Sequence, residues 1–350
     1  MVILNWQRTA LCLVVGCLCS CVPNEADDDA LITQVRVLAI RAEPAEAAPR
    51  DKVTLSALYV GPGGSLEDAP IDWAFCLQRK SLAELGPVAR QCLAQESALL
   101  QTLGEGLHAS ASVPQDACRL FGPDRPPPQN DEPIGRPVDP DPFGGFYQPV
   151  RVFDADTSRY TLFEERISCT LAGVTQAEFA SWNRRYRRNQ NPSIGALTDL
   201  DSGQTLAADS AKQPPFGVST GQKLRLRASW VECSDGAECD DGICGADETR
   251  TTCSADCTTP RGCEGSEHYL YYDRTSRSFA TRRENLRVAW FATAGHFDGP
   301  RTGRPEAEAS TSQTDNVWTA PKQSGEVSVW LVLRDDRGGI GWQGYRLNVQ

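Results

Sequence analysis

Apolar and polar residues alternate with a period of two along several short segments of this chain. Val53–Tyr59 and Ile71–Phe75 show this alternation, and the apolar segment Val35–Arg41 before them is strand-like. Because successive side chains of a strand point to opposite faces, each segment predicts a β-strand with one buried face. Glycine (29) and proline (23) are plentiful while methionine occurs once, a balance that favours strands joined by turns.

The second half of the chain repeats this pattern. Lys52–Val60 aligns without gaps on Lys223–Val231. The repeat favours two β domains of one kind in tandem. The alternative is chance, since any two strands with one buried face share such a pattern. Under the tandem interpretation two pairs of aromatic side chains take equivalent, buried positions: Tyr59 with Trp230, and Trp73 with Trp290.

The C-terminal region predicts a β-hairpin. Val327–Leu333 is a strand pattern, Arg334–Gly339 is a turn with glycines that accept positive φ, and Ile340–Val349 is the returning strand. Together with Val317–Pro321, the region resembles bacterial immunoglobulin-like and polycystic-kidney-disease-type β-sandwich domains. The resemblance implies an all-β chain of two tandem immunoglobulin-like sandwiches, with a short helix and a disulfide-rich insert. It implies no activity.

The N-terminal segment has the layout of an export signal. Thr9–Val22 is almost wholly apolar, follows Arg8 and precedes an acidic stretch. Its length is short of the roughly 20 residues needed to span a bilayer. The segment Leu18–Cys21 resembles the bacterial lipoprotein signal, whose cysteine is acylated and becomes the mature N-terminus. The resemblance implies a signal peptide at 1–21 and lipid attachment, with palmitate among the acyl chains, at Cys21.

Other interpretations of this segment stay open. Val14–Cys17 is a second acceptable acylation box, so Cys17 is the alternative attachment site. An ordinary cleaved signal and a buried N-terminal strand are further alternatives. The lipoprotein interpretation predicts an exported protein whose partner is the membrane, reached through a lipid anchor, with the outer membrane as its expected location.

The remaining chain divides into a tether and two domains. We predict a flexible acidic tether at 22–32, a first immunoglobulin-like domain at 33–192 and a second at 193–350. The first domain contains a proline-rich segment, 121–149, which has no strand period and predicts an irregular surface loop. The second contains a cysteine-rich insert, 233–263, which we expect at an edge of its sandwich, between Glu232 and a strand beginning near Tyr269.

A helix is predicted after Thr175, which forms a capping-box pattern with Glu178. Phe179, Trp182 and Tyr186 follow at the spacing of a core-facing stripe. Four arginines fill the predicted last turns, where they complement the helix dipole: Arg184, Arg185, Arg187 and Arg188. The formal net charge of −11 argues against nucleic acid as a partner.

Ten cysteines lie beyond the signal, in one set of four and one of six: Cys76, Cys92, Cys118 and Cys169, then Cys233, Cys239, Cys244, Cys253, Cys257 and Cys263. In an oxidising compartment they are most simply five disulfides. We expect the six to pair among themselves. Sequence proximity favours Cys76–Cys92 with Cys118–Cys169, one of the three pairings that four cysteines permit.

The insert also offers possible metal ligands. It resembles small Cys-Asp-Gly-rich modules of myxobacterial surface proteins. Zinc is one alternative, since several cysteine spacings approach those of zinc ligands. Calcium is another, on Asp240, Asp241 and Glu248, although Ala237 and Cys239 stand where an EF-hand loop needs oxygen ligands. A soluble loop held by disulfides, with no metal and no cofactor, is the interpretation we favour.

A catalytic site is not specified by the sequence. Gly217–Gly221 matches the G-x-S-x-G nucleophile pattern at Ser219, but that motif acts on a strand-to-helix turn and a strand pattern follows here. The three histidines, His108, His268 and His296, stand in no metal-binding or triad pattern.

These features together resemble lipoproteins of myxobacteria. We therefore expect no enzymatic activity. The expected function is that of a lipid-anchored cell-envelope scaffold or binding module whose partner is an envelope protein or glycan. A calcium-dependent adhesion or glycan-binding protein is the alternative, and a hydrolase using Ser219 is the third.

Overall fold

The protein is described by a computed structural model that covers residues 30–80, 84–94, 97–122, 145–171, 174–209, 213–233, 263–273, 276, 278–304 and 311–350. Within these ranges the chain forms 21 β-strands and two α-helices. The predicted all-β class is therefore confirmed, and the strands form two sandwiches in tandem.

The first sandwich contains nine strands, a short helix and a 3-10 helix at Arg90–Leu93. Their bounds are β1 (Arg36–Glu43), β2 (Glu46–Ala47), β3 (Lys52–Gly61), β4 (Gly64–Ser65), β5 (Ile71–Cys76), β6 (Leu100–Glu105), β7 (His108–Ser112), α1 (Ala117–Phe121), β8 (Phe146–Asp154) and β9 (Arg159–Ile167). One sheet joins β1, β3, β4 and β7, with β3 pairing all the others. The other sheet has the order β2-β9-β8-β5-β6.

A helix, α2 (Gln176–Arg185), leads to the second sandwich. The strands that follow α2 are β10 (Ile194–Asp199), β11 (Thr205–Leu206), β12 (Phe216–Val218), β13 (Lys223–Trp230), β14 (His268–Asp273), β15 (Ser278–Arg283), β16 (Leu286–Ala292), β17 (His296–Phe297), β18 (Arg301–Arg304), β19 (Gln313–Thr319), β20 (Gly325–Arg334) and β21 (Ile340–Val349). Its sheets have the orders β11-β10-β13-β19-β17 and β12-β21-β20-β16-β18, while β14 and β15 form a separate hairpin.

The two sandwiches share one topology. The three-strand unit β1-β3-β7 corresponds to β10-β13-β19, and β2-β9-β8-β5-β6 corresponds to β12-β21-β20-β16-β18. These two corresponding five-stranded sheets each begin with a parallel pair, β2 with β9 and β12 with β21, although the other ladders are antiparallel. The repeated segment Lys52–Val60 lies on β3, and Lys223–Val231 lies on the equivalent strand β13 except for its last residue. All four repeated aromatic residues are buried, as predicted: Tyr59, Trp230, Trp73 and Trp290.

Strand β20 is buried on both faces and joins the two sandwiches. Val329 and Leu331 point into the core of the second sandwich, while Trp330 and Val332 belong to the core of the first. The indole Nε1 of Trp330 donates to Ser65 Oγ in β4 at 2.9 Å. Near-continuous burial of this kind is the mark of a strand covered on both faces. The four sheets therefore stack as layers, because one face of the second sandwich is covered by the first.

The end of the predicted tether is part of this fold. The backbone N–H of Ile32 donates to the Ala292 carbonyl at 2.8 Å, and the Ala292 N–H donates to the Ala30 carbonyl at 2.9 Å. Ile32 is 1% exposed and packs in the first core. The predicted free tether at 22–32 is thus wrong for residues 30–32, because an apolar side chain and backbone hydrogen bonds hold them to β16. Residues 22–29 lie outside the described ranges.

Both ends of the predicted proline-rich loop, 121–149, belong to regular elements. Residues 145–149 are described, and Phe146 already begins β8. Pro149 is tolerated in this strand because β5 pairs with β8 only from Val150 onward, so that side of Pro149 needs no backbone donor. At the other end Phe121 closes α1, which leaves 123–144 outside the described ranges.

Helix α2 has the predicted capping box. The Glu178 N–H donates to Thr175 Oγ1 at 3.2 Å, and the Thr175 N–H donates to Glu178 Oε2 at 2.6 Å. The helix ends at Arg185, earlier than predicted, because Tyr186 is extended. Arg187 therefore lies beyond the last turn, and so does Arg188. None of the described helices is long and apolar enough to cross a bilayer.

Candidate functional site

The most unusual feature of the described residues is a cluster of buried charges between the sandwiches. We call it the junction cluster and define it by three glutamates and three arginines, all at most 6% exposed: Glu46, Arg166, Arg187, Glu267, Glu284 and Arg337. Glu46 and Arg166 come from β2 and β9 of the first sandwich. The others come from the segment after α2, the two ends of the β14–β15 hairpin, and the β20–β21 turn.

Arg337 lies at the centre of the junction cluster. Its Nη1 donates to Glu267 Oε1 at 2.8 Å and to Glu284 Oε1 at 3.1 Å. The guanidinium also lies 4.8 Å from the ring centre of Tyr269. Since Arg337 is 0% exposed, these contacts replace its hydration shell. The turn that begins at Arg334 is thereby tied to both ends of the hairpin.

The other terminal nitrogen of Arg337 reaches the first sandwich. Nη2 donates to the Arg187 carbonyl at 2.7 Å and lies 3.6 Å from Glu46 Oε2. Glu46 Oε2 also accepts a hydrogen bond from Tyr186 OH at 2.7 Å and forms an ion pair with Arg166 Nε at 3.3 Å. One carboxylate of the first sandwich is therefore shared by two arginines, one from each sandwich.

The glutamates of the junction cluster have shifted pKa values. Burial alone would raise the pKa of Glu46, but Arg166 and Arg337 hold it below the ordinary value. Burial raises the pKa of Glu267, and it raises that of Glu284 well above the ordinary value, where the neighbouring charge of Glu267 adds to the effect. The two carboxyls converge on one arginine nitrogen, which favours a proton on Glu284.

The base of the cysteine-rich insert is built into the junction cluster. A disulfide joins Cys233 to Cys263, and the Cys263 N–H donates to Glu267 Oε2 at 2.9 Å. The strand predicted to begin near Tyr269 is confirmed as β14, although among the described residues it pairs with β15 and with neither sheet of the second sandwich. β13, which precedes the insert, is a central strand of its sheet. The insert itself, at 234–262, lies outside the described ranges, so its predicted place at a sandwich edge stays a prediction.

Helix α2 covers this hairpin. Trp182 is buried, stacks on Tyr186 with ring centres 4.3 Å apart, and lies 5.9 Å from Phe279 of β15. Tyr272 OH donates to Glu178 Oε1 at 3.4 Å. Trp182 and Tyr186 of the predicted aromatic stripe therefore pack within the protein. Arg187 Nη1 lies 3.7 Å from Glu267 Oε2, so this arginine also pairs inside the protein.

A further buried acid lies inside the first sandwich. Glu165 is 0% exposed, and within the described residues neither carboxyl oxygen has a hydrogen-bond partner. Burial raises its pKa well above the ordinary value, and the charges of Glu46 and Glu43 raise it further. Its cross-strand neighbour is Gln148, whose amide donates to the Cys76 carbonyl at 2.7 Å. Burial without a hydrogen-bond partner thus favours the neutral form of this carboxyl over the charged form.

Several predicted site residues lie outside the described ranges. They are the lipid-attachment candidates Cys21 and Cys17, the calcium candidates Asp240, Asp241 and Glu248, and the cysteines Cys239, Cys244, Cys253 and Cys257. Both the lipid anchor and the calcium site therefore stay predictions. In the part of the chain that is described, no group of three or more His, Cys, Asp or Glu side chains is arranged to hold a metal.

The described cysteines form three disulfides. The first set pairs as sequence proximity favoured, Cys76 with Cys92 and Cys118 with Cys169. Cys76–Cys92 ties β5 to the 3-10 helix, and Cys118–Cys169 ties α1 to the segment after β9. The Cys233–Cys263 bond closes the insert at its two ends.

Ser219 lies in a strand–turn–strand connection. It follows β12 and precedes β13, its N–H donates to Gln222 Oε1 at 2.9 Å, and Gly221 has φ of 70°. The strand-to-helix turn of a hydrolase nucleophile is replaced here by a tight β-turn. A serine–histidine hydrogen bond occurs elsewhere, between Ser56 Oγ and His108 Nδ1 at 3.0 Å. It is an exposed cross-strand pair, and within the described residues no carboxylate bonds to His108.

Comparisons with known proteins give distant structural likeness alone. No protein-family model matches the chain, and no curated protein matches it. Similar solved structures include native Escherichia coli alpha-2-macroglobulin (TM-score 0.21, 10% identity, 93% of this chain and 17% of that one). They also include the Yersinia pseudotuberculosis adhesin InvE (0.21, 10%, 89% and 58%) and domains 4 and 5 of the S-layer protein SbsC (0.18, 8%, 91% and 99%). The chain thus spans less than two thirds of the first two, and such low scores carry no functional argument.

Proposed function

We propose that this protein is an exported, lipid-anchored envelope protein that acts without catalysis, as a rigid two-domain scaffold or binding module. The anchor is proposed at Cys21, with the outer membrane as the site of attachment. The partner is an envelope protein or an envelope glycan.

The junction cluster is the observation that carries this proposal. Sandwiches joined by a flexible linker would move relative to one another, which is the default for domains in one chain. Here a buried arginine contacts glutamates of both sandwiches and of the insert base. A buried ion pair stabilises weakly but is strongly orientation-dependent, because either charge left unpaired in the interior is costly. Fixed spacing of two modules and an insert suits a protein that presents surfaces to a partner.

The disulfides support export. Cys76–Cys92, Cys118–Cys169 and Cys233–Cys263 are bonds of the kind that persist in oxidising compartments and are rare in the cytosol. The lipoprotein-like N-terminal segment points to the same compartment. The two features are independent, since one rests on the order of residues at the N-terminus and the other on cysteine pairing in the fold.

Membrane fractionation tests the anchor. Cys21→Ser is expected to release the protein from membranes or to stop its maturation, while Cys17→Ser is the matched control and should leave it in the membrane fraction. Mass spectrometry of the mature N-terminus should show an acylated Cys21. An unmodified N-terminus, or release by Cys17→Ser alone, would contradict the assigned site.

Cross-linking on intact cells, followed by identification of the linked partners, tests the binding role. Turnover of small ester probes tests the absence of catalysis, with Ser219→Ala compared against Ser202→Ala, which lies in another turn of the second sandwich. Turnover that is lost only in Ser219→Ala would overturn the non-catalytic assignment.

A further inference from the structure

A polar cavity of about 150 Å³ opens between the two sandwiches, apart from the junction cluster. The end of β1 forms one side through Arg41 and Glu43, and the start of β21 forms another through Trp342 and Gln343. Gln190 and Glu264 also line the cavity. Ligand sites occur preferentially at such boundaries between domains. The cavity has room for about five water molecules at ~30 Å³ each, which is the scale of one small metabolite.

Arg41 carries hydrogen-bond donors that the described protein does not use. Its guanidinium lies 4.8 Å from the ring centre of Trp342, so its flat face is occupied by the indole. The N–H groups lie in the plane of the guanidinium and remain available in this arrangement. Nε is buried with no hydrogen-bond partner among the described residues, and no carboxylate of these residues pairs with Arg41. A buried donor of this kind costs stability unless a water or a ligand satisfies it.

Two carboxylates share the lining with this arginine. Glu43 is held by Asn191, whose Nδ2 donates to Oε2 at 3.0 Å and to the Ala42 carbonyl at 2.7 Å. Glu264 is exposed, and in the described part of the chain its side chain forms no hydrogen bond. Its position is fixed through the backbone, because its carbonyl accepts from Ser193 N–H at 2.8 Å. The cavity therefore presents one cationic and one anionic group on β1, and a second anionic group, Glu264, on the segment before β14.

This distribution of charge selects the class of ligand. A ligand with only a carboxylate would gain Arg41 but meet two like charges, and a simple cation would gain the glutamates but meet the arginine. A zwitterion satisfies both kinds of group at once. We propose that the cavity binds a free amino acid, with its carboxylate on the Arg41 guanidinium and its ammonium between Glu43 and Glu264. Gln190 and Gln343 then lie beside the ligand's side chain. This goes beyond the scaffold role and is independent of the lipid anchor.

Isothermal titration calorimetry on the full-length protein in detergent tests the proposal, with each of the common amino acids, including D- and L-alanine, as probes. At least one should bind saturably. Its N-acetyl derivative, which lacks the ammonium, and its amide, which lacks the carboxylate, should each bind at least about tenfold more weakly, as expected for a lost charge-assisted hydrogen bond.

Two arginines of one strand provide matched variants. Arg41→Met should weaken binding at least about tenfold. Arg36 is a matched control because it also lies over an aromatic ring, with its guanidinium 5.7 Å from the ring centre of Phe291. Arg36→Met should leave binding unchanged, because Arg36 does not line the cavity. If Arg41→Met fails to fold, Glu264→Gln is the second variant, since that side chain is exposed. No saturable binding of any amino acid, equal losses in the two arginine variants, or undiminished binding of both blocked derivatives would overturn the proposal.

Discussion

Arg337 of the β20–β21 turn lies 3.6 Å from Glu46 of β2, so that an arginine of the second sandwich shares a carboxylate that also pairs with Arg166 of the first. The same arginine binds Glu267 and Glu284 at the two ends of the β14–β15 hairpin. A single side chain thus links both sandwiches and the insert base, and its removal should affect all three.

Arg337→Met is expected to lower the free energy of unfolding by about 3 to 5 kcal/mol, because it leaves buried glutamates without their partner. The control is Arg225→Met, whose ion pair with Asp201 is exposed on both sides and contributes at most about 1 kcal/mol. Urea denaturation of the two variants measures the difference. Equal losses would show that the junction cluster does not hold the fold together.

Glu165 should make stability depend on pH. The pKa of Glu165 in the folded state is raised well above the ordinary value of 4.5. Its contribution to the free energy of unfolding is therefore fully present below pH 4.5 and is lost as pH rises through the folded-state pKa. Glu165→Gln keeps the shape without the charge and should flatten the decline of stability on the alkaline side. Glu164→Gln, at the exposed neighbouring position, is the control. Unfolding free energies measured across pH would contradict this if Glu165→Gln and Glu164→Gln declined alike.

Ile32 should contribute to folding although it lies in a segment expected to be a tether. Ile32→Ala removes a fully buried side chain from the first core and should cost about 2 to 5 kcal/mol. Thr33→Ala changes the adjacent exposed residue and should stay within about 0.5 kcal/mol. Urea denaturation distinguishes them. A loss for Ile32→Ala as small as that for Thr33→Ala would mean that residues 30–32 are dispensable.

The insert should contain two further disulfides. With Cys233 bonded to Cys263, the remaining cysteines Cys239, Cys244, Cys253 and Cys257 have three possible pairings among themselves. Mass mapping of the unreduced, proteolysed protein should find one of them and no free thiol in the mature chain. Thiols that react without reduction, or a bond from this set to the first sandwich, would refute the prediction.

Calcium binding distinguishes two interpretations of the insert, a loop held by disulfides without metal and the calcium site of an adhesion or glycan-binding protein. If Asp240, Asp241 and Glu248 form a calcium site, millimolar calcium should release heat and raise the melting temperature, and Asp241→Asn should abolish both effects. Asp201→Asn, outside the insert, is the control. We expect neither effect in the unsubstituted protein, and a calcium-dependent rise lost only in Asp241→Asn would establish the alternative.

The sequence by itself determined the sandwiches. The alternation in Lys52–Val60 and its repeat in Lys223–Val231 predicted equivalent strands, since the side-chain direction of a strand depends only on the local backbone. The capping box at Thr175 was predictable for the same reason. Proximity in sequence was enough to favour Cys76–Cys92. These features depend on neighbours along the chain or on which face of one element is apolar.

Only the tertiary structure decided which faces meet. Glu46, Arg166 and Arg337 stand far apart in sequence, and each looks like a solvated charge until the sheets stack and exclude water around them. Ile32 in an acidic segment gave no periodic signal, and its place was set by backbone hydrogen bonds of residues 30–32 to Ala292 and by burial in the first core. Arg41 became a ligand-binding candidate only when Trp342 covered its face. Electrostatic and apolar contacts between distant elements depend on the relative position of whole sheets, which no local pattern of residues specifies.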